Sequence, residues 1–109
     1  MTQGDEKHIG QVLRAAVDGP FFPERAFHTL MGLQRSEMRI IAEEWPRVSD
    51  QDRASSAVNN AFNNLIGYPH RNWDAWAEFG TASRDDLKDA FARWRATRDR
   101  RRSCDITRR

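Results

Sequence analysis

The 109-residue sequence has no long hydrophobic run and only one cysteine. No apolar stretch approaches the roughly 18–20 residues that a membrane-spanning helix needs, and the first ten residues lack the basic start and apolar segment of a signal peptide. Cys104 cannot form an intramolecular disulfide because it has no second cysteine to pair with, which is typical of proteins in a reducing compartment. We therefore expect a cytoplasmic protein that does not associate with membranes.

The residue patterns that usually carry catalysis are also lacking. The sequence contains no recognisable nucleophile paired with a base, no glycine-rich phosphate loop and no paired carboxylates in apolar surroundings. Its histidines, His8, His28 and His70, lie in separate segments without the spacing of a metal site. We therefore expect no enzymatic activity and no cofactor.

Helical periodicity is present over nearly the whole chain. Apolar residues recur at intervals of three and four, and no alternation with a period of two is long enough to predict a β-strand. Glycine, proline and capping residues divide this pattern into segments. The predicted helices cover about 6–18, Pro23 to Gly32, about 35–45, about Ser49 to Gly67 and a last segment from Ser83, with one or two further turns over about 72–80.

This division predicts an all-α fold, a compact irregular bundle of about five helices without a sheet. By its length the chain is one domain, which we place over residues 1–102, followed by a basic, flexible C-terminal tail over 103–109. The aromatic residues provide bulky core material. We expect Phe21 and Phe22 to fill the core, and we expect either core packing or a partly exposed aromatic groove for Trp73, Trp76 and Phe79.

The predicted fourth helix contains four asparagines, which are poor helix formers. At 100° per residue, its apolar residues cluster on one side and the asparagines lie on the opposite side. Each asparagine costs about 0.5–0.7 kcal/mol relative to alanine in a helix interior. Three interpretations of this asparagine face stay open: it is solvated, it bonds to another part of the chain, or it binds an external partner. Together with the loop that follows, it forms a candidate partner-binding surface of Asn59, Asn60, Asn63, Asn64, Tyr68, His70 and Arg71.

Residues 24–43, "ERAFHTLMGLQRSEMRIIAE", resemble the helix-turn-helix of DNA-binding regulators. The resemblance consists of a short helix, Gly32 at the turn, Leu33 after it, and inward positions in the second helix. His28 departs from the family pattern, because a small residue usually stands there, and glutamates on or near the second helix would repel a duplex. The resemblance implies that Gln34, Arg35, Ser36 and Arg39 face the DNA groove, with Arg98, Arg101 and Arg102 on phosphates.

Charge is unevenly distributed along the chain. Residues 93–109 hold eight arginines against two aspartates, whereas the preceding 92 residues carry a net charge of −4.

Two functional hypotheses remain. The first is a protein-interaction module, such as an accessory, regulatory or immunity-type inhibitor protein, because a mixed-sign surface and spare aromatics accompany the lack of catalytic groups. The second is a DNA-binding regulator that uses 24–43 and the arginine-rich C-terminus. No feature of the sequence specifies an oligomeric state.

Overall fold

The computed structural model describes residues 3–67, 73–80 and 82–107, with side chains described as far as Asp99. Within these ranges the chain is helical and has no strand, which confirms the predicted all-α fold. None of the described helices is long and apolar enough to cross a membrane. The elements are α1 (Gln3–Asp18), α2 (Glu24–Met31), α3 (Arg35–Glu44), α4 (Gln51–Gly67), a 3₁₀ helix (Trp73–Glu78) and α5 (Arg84–Thr107).

Local signals in the sequence explain where these helices begin and end. Gly32 stops α2 by adopting a left-handed conformation with φ of 73°, which is strained for residues that have a Cβ atom. The first turn of α5 is closed by Ser83 and Asp86. The Asp86 N–H donates to Ser83 Oγ at 3.0 Å, and the Ser83 N–H donates to Asp86 Oδ2 at 3.2 Å. This reciprocal pair satisfies two of the N–H groups that the start of a helix leaves unpaired.

Helix α1 lies at the centre of the bundle and packs against α3, α4 and α5. Its residues Ile9, Val12 and Leu13 are fully buried, as is Phe62 on α4. The loop after α1 also contributes to the core. Phe21 and its neighbour Phe22 are 1% and 4% exposed, so they fill the interior as predicted.

Aromatic rings join α4 to α5. The rings of Phe62 and Phe91 stack with centroids 5.0 Å apart, and Trp94 continues the stack 6.0 Å from Phe91. Trp76, on the 3₁₀ helix, is buried, and its indole N–H donates to the Ala82 carbonyl at 2.7 Å. Trp73 and Phe79 are partly buried against the same core. Core packing therefore accounts for these aromatics.

An ion pair between the buried Asp5 and the half-exposed Arg93 connects the first turn of α1 to α5. Arg93 donates from Nε and Nη2 to the two carboxylate oxygens of Asp5, at 2.8 and 2.7 Å. Asp5 is only 2% exposed. The hydrogen bond to Asp5 raises the pKa of Arg93 above its ordinary value, so the guanidinium stays protonated at any pH at which the protein is handled. Asp5 belongs to the part of α1 that precedes the predicted helix start at residue 6.

Helix α5 also extends further than the periodicity indicated. Among the residues of α5 whose side chains are described, Trp94 is the last buried one, yet the helix continues to Thr107, past the domain boundary that we predicted at residue 102. The flexibility of residues 103–109 stays a prediction.

Two core substitutions test this packing. Leu65→Ala and Trp94→Ala should each lower the free energy of unfolding by about 2–5 kcal/mol, because both side chains are buried and each substitution leaves a cavity. Urea unfolding followed by circular dichroism measures the change. Ile40→Ala is the matched control, since Ile40 is 56% exposed, and it should change stability by less than about 0.5 kcal/mol. Equal effects at all three positions would contradict the described core.

Candidate functional site

Two of the four asparagines on α4 bond to the end of α2. Asn60 Nδ2 donates to the Met31 carbonyl at 2.6 Å, and Asn64 Nδ2 donates to the Leu30 carbonyl at 2.8 Å. The last carbonyls of a helix have no partner within the helix itself, and here amides from a neighbouring helix provide the partners. The approach is close at the turn, because a Cβ atom on Gly32 would lie 3.4 Å from Asn60 Nδ2. For Asn60 and Asn64, the contact within the chain is the alternative that the structure supports.

The other two asparagines are differently placed. Asn59 is partly buried, and its Oδ1 accepts a hydrogen bond from Arg98 Nη1 on α5 at 3.4 Å. Asn63 is exposed. The remaining members of the candidate surface, Tyr68, His70 and Arg71, lie outside the described residues. The predicted asparagine face is therefore divided between three neighbours: α2, α5 and solvent.

This division gives a test within a single helix. Asn64→Ala should destabilise the protein by about 0.5–2 kcal/mol, because losing a partner for a part-buried carbonyl costs about 1–3 kcal/mol and alanine returns about 0.5–0.7 kcal/mol of helix propensity. Asn60→Ala should behave in the same way. Asn63→Ala, the same substitution at an exposed position, should be neutral or slightly stabilising. Thermal or urea unfolding compares the three, and destabilisation by Asn63→Ala alone would contradict the hydrogen bonds described here.

Arg35, which the helix-turn-helix resemblance places in a DNA groove, instead bonds to the protein's own backbone. Its Nη1 donates to the Val17 carbonyl at the end of α1, and its Nη2 donates to the Phe22 carbonyl at 3.3 Å. Its Nε pairs with Glu24 Oε2 at 2.7 Å, and its guanidinium lies 4.3 Å from the centroid of the Phe27 ring. The side chain is 21% exposed. Arg35 therefore connects α1, the loop after it and α2 to the first turn of α3.

The other residues implied by that resemblance lie at the surface. Gln34 and Ser36 are exposed, and the Gln34 backbone N–H donates to Glu37 Oε1 at 3.0 Å. Arg39 is about half exposed and pairs with Asp18 Oδ1 on α1 at 2.8 Å. Of the predicted phosphate contacts, Arg98 is described and Arg101 and Arg102 are described only as part of the helix backbone. The candidate groove-facing residues thus present one paired arginine and two neutral polar side chains to solvent.

A shallow groove of about 80 Å³ runs between α1 and α3. Within the described part of the chain, two of its charged residues, Arg14 and Glu43, form no ion pair. The groove therefore contains charges of both signs, and among its described lining residues only Arg39 and Asp18 neutralise each other. Its lining residues are Arg14, Val17, Asp18, Arg39, Ala42 and Glu43.

Ile40 stands beside this groove on the outer side of α3. It is 56% exposed, and it is the one large hydrophobic side chain that is exposed among the described residues. We call the outward residues Ser36, Arg39, Ile40 and Glu43 the α3 face, since their spacing of three and four puts them on one side of the helix. A signal for this face exists in the sequence. Ile40 and Ile41 are adjacent, and because Ile41 belongs to the inward series with Met38, Ile40 has to point elsewhere.

The described residues include no group of three or more histidine, cysteine, aspartate or glutamate side chains that could hold a metal ion. No protein-family model, curated protein or solved structure matches the chain.

Proposed function

We propose that this chain is a non-enzymatic cytoplasmic docking protein, of the accessory, regulatory or immunity-inhibitor type, that binds a protein partner through the α3 face. The observation that carries the proposal is the 56% exposure of Ile40 on a helix face that also carries the charged residues Arg39 and Glu43. Protein interfaces commonly bury an apolar anchor within a polar rim. Arg39 and Glu43, which lie between Ile40 and the groove, supply part of such a rim, and Arg14 extends it across the groove.

The position of α3 supports this function, because contacts within the protein fix the helix at both ends before any partner binds. Arg35 fixes the first turn of α3 to the end of α1, and Trp45, directly after the helix, donates its indole N–H to the Glu6 carbonyl at 2.8 Å. A surface that is already ordered loses less conformational entropy on binding. The partner that fits has an apolar recess for Ile40, flanked by an acidic group facing Arg14 and a basic group facing Glu43.

A DNA-binding regulator built on 24–43 is the alternative, and the geometry favours it less. The Arg35 guanidinium is already bonded to three backbone carbonyls and Glu24, so it is not free to read bases. Glu43 lies on the same exposed face as Arg39, and Asp18 neutralises Arg39. Carboxylates at the contact surface repel phosphates, whereas a protein partner can present charges of both signs.

The test replaces the proposed anchor with a charge. Ile40→Lys should weaken capture of the partner from native lysate by about 10–100-fold, because a central apolar anchor typically contributes about 1–3 kcal/mol. Melting temperature should not change, since Ile40 is exposed. Ser56→Lys is the control, because Ser56 is an exposed residue that belongs to α4 and not to the α3 face.

The same capture experiment can reject the α3 face. If Ile40→Lys retains the partner while Asn59→Ala/Asn63→Ala releases it, the docking surface lies on α4 instead. If neither variant changes what the protein captures, the proposed docking function through described surfaces is wrong.

A further inference from the structure

Helix α5 continues beyond its apolar stripe with a stripe of arginine positions. Leu87, Ala90 and Trp94 are buried on the side of α5 that faces the bundle. At 100° per residue, the next positions on that side of the helix are 98, 101 and 102, and all three are arginine in the sequence. The backbone stays helical through Thr107, so this register holds over the whole stretch. We call residues 95–102 the arginine segment.

Aromatic rings hold the start of the arginine segment in place. The Arg98 guanidinium lies 4.9 Å from the centroid of Trp94, and that of Arg95 lies 5.4 Å from the centroid of Phe91. Stacking on a ring leaves the N–H groups at the edge of a guanidinium available for hydrogen bonds. Arg98 uses some of its donors on Asn59 and Asp99, whereas Arg95 is exposed. Two cationic groups of the arginine segment, those of Arg95 and Arg98, therefore lie against aromatic rings of the same helix.

The composition of the arginine segment indicates what kind of partner it fits. Residues 95–105, "RATRDRRRSCD", contain no large hydrophobic residue, so they lack the apolar anchors at spacings of three and four by which helices dock into protein grooves. What the arginine segment offers is charge, since residues 95–102 carry five arginines against one aspartate. A polyanion is the partner that such a surface attracts.

Single-stranded nucleic acid fits less well than duplex. Proteins that bind single strands without sequence preference stack the bases on exposed aromatic side chains. On α5 the aromatic residues Phe91 and Trp94 are 8% and 6% exposed, and their faces are already taken by Phe62 and by the arginines. An α-helix fits the major groove of B-form DNA, whereas the major groove of duplex RNA is deep and narrow.

We infer that the arginine segment of α5 binds the phosphate backbone of duplex DNA without sequence preference. This activity is separate from docking through the α3 face, and it uses none of the helix-turn-helix residues. Because the preceding 92 residues carry a net charge of −4, the rest of the protein does not add to the attraction. Binding should therefore be confined to low and moderate salt.

The test measures binding of the full-length protein to a fluorescent duplex of arbitrary sequence, by anisotropy, between about 50 and 200 mM salt. The logarithm of the affinity should fall linearly with the logarithm of salt concentration, with a slope of about −3 to −5. Arg101→Gln/Arg102→Gln should make the slope shallower by about 2, because each phosphate contact contributes about 0.9. The control Arg25→Gln/Arg47→Gln removes the same charge from exposed positions on α2 and after α3, and it should leave the slope unchanged.

Several outcomes would overturn the inference. Absence of binding at about 50 mM salt would do so directly. An equal change of slope in the two double variants would show a nonspecific effect of net charge, and a change of slope with Arg39→Gln alone would assign the contact to α3. Tighter binding to single-stranded DNA, duplex RNA or polyglutamate than to duplex DNA would show a different partner. Circular dichroism of each variant should match the wild-type protein, which separates loss of binding from loss of fold.

Discussion

The orientation of α3 depends on the guanidinium of Arg35. This side chain lies where three segments meet, and it donates to carbonyl groups of α1 and of the loop that leads to α2, while it pairs with Glu24 on α2. Only arginine offers a planar fork of five donors that can reach several acceptors at once. With Arg35 directed inward, Met38 and Ile41 enter the core and Ile40 is left outside. The surface proposed for docking follows from that rotation of the helix.

Side chains from other elements also donate to the terminal carbonyls of α2 and α4. Short helices leave many terminal carbonyls without partners, and a small bundle cannot bury them unsatisfied. In this protein, side chains from other elements supply the missing donors: Asn60 and Asn64 at the end of α2, and Arg84 at the end of α4, where its Nη2 donates to the Ile66 carbonyl at 2.7 Å. No buried side-chain nitrogen or oxygen in the described part of the chain lacks a hydrogen-bond partner. Polar residues that lie outside the apolar stripe of their own helix thus bond one helix to another.

Helical periodicity and capping residues were enough to predict that each helix exists and about where it lies, because both signals are local, although α1 begins earlier and α5 extends further than predicted. Ser83 and Gly32 stand where the structure begins α5 and ends α2. The roles of Asn64, Arg35 and Arg93 could not be predicted in the same way. Their partners are 34, 18 and 88 residues away, and two of those partners are backbone carbonyls, which are identical at every position of a sequence. Periodicity indicates which side of a helix is polar but not which neighbour covers that side, so it left open whether the asparagines face solvent, another part of the chain or a partner.

Comparing the free energy of unfolding of Arg35→Gln with that of Arg39→Gln tests most directly whether contacts within the protein fix the orientation of α3. Arg35 makes several charge-assisted bonds to part-buried groups, so its loss should lower the free energy of unfolding by about 2–4 kcal/mol. Arg39 makes one surface ion pair, and Arg39→Gln should lower the free energy of unfolding by less than about 1 kcal/mol. If Arg35→Gln leaves stability unchanged and instead abolishes binding to duplex DNA, then Arg35 faces solvent and the orientation of α3 described here is wrong.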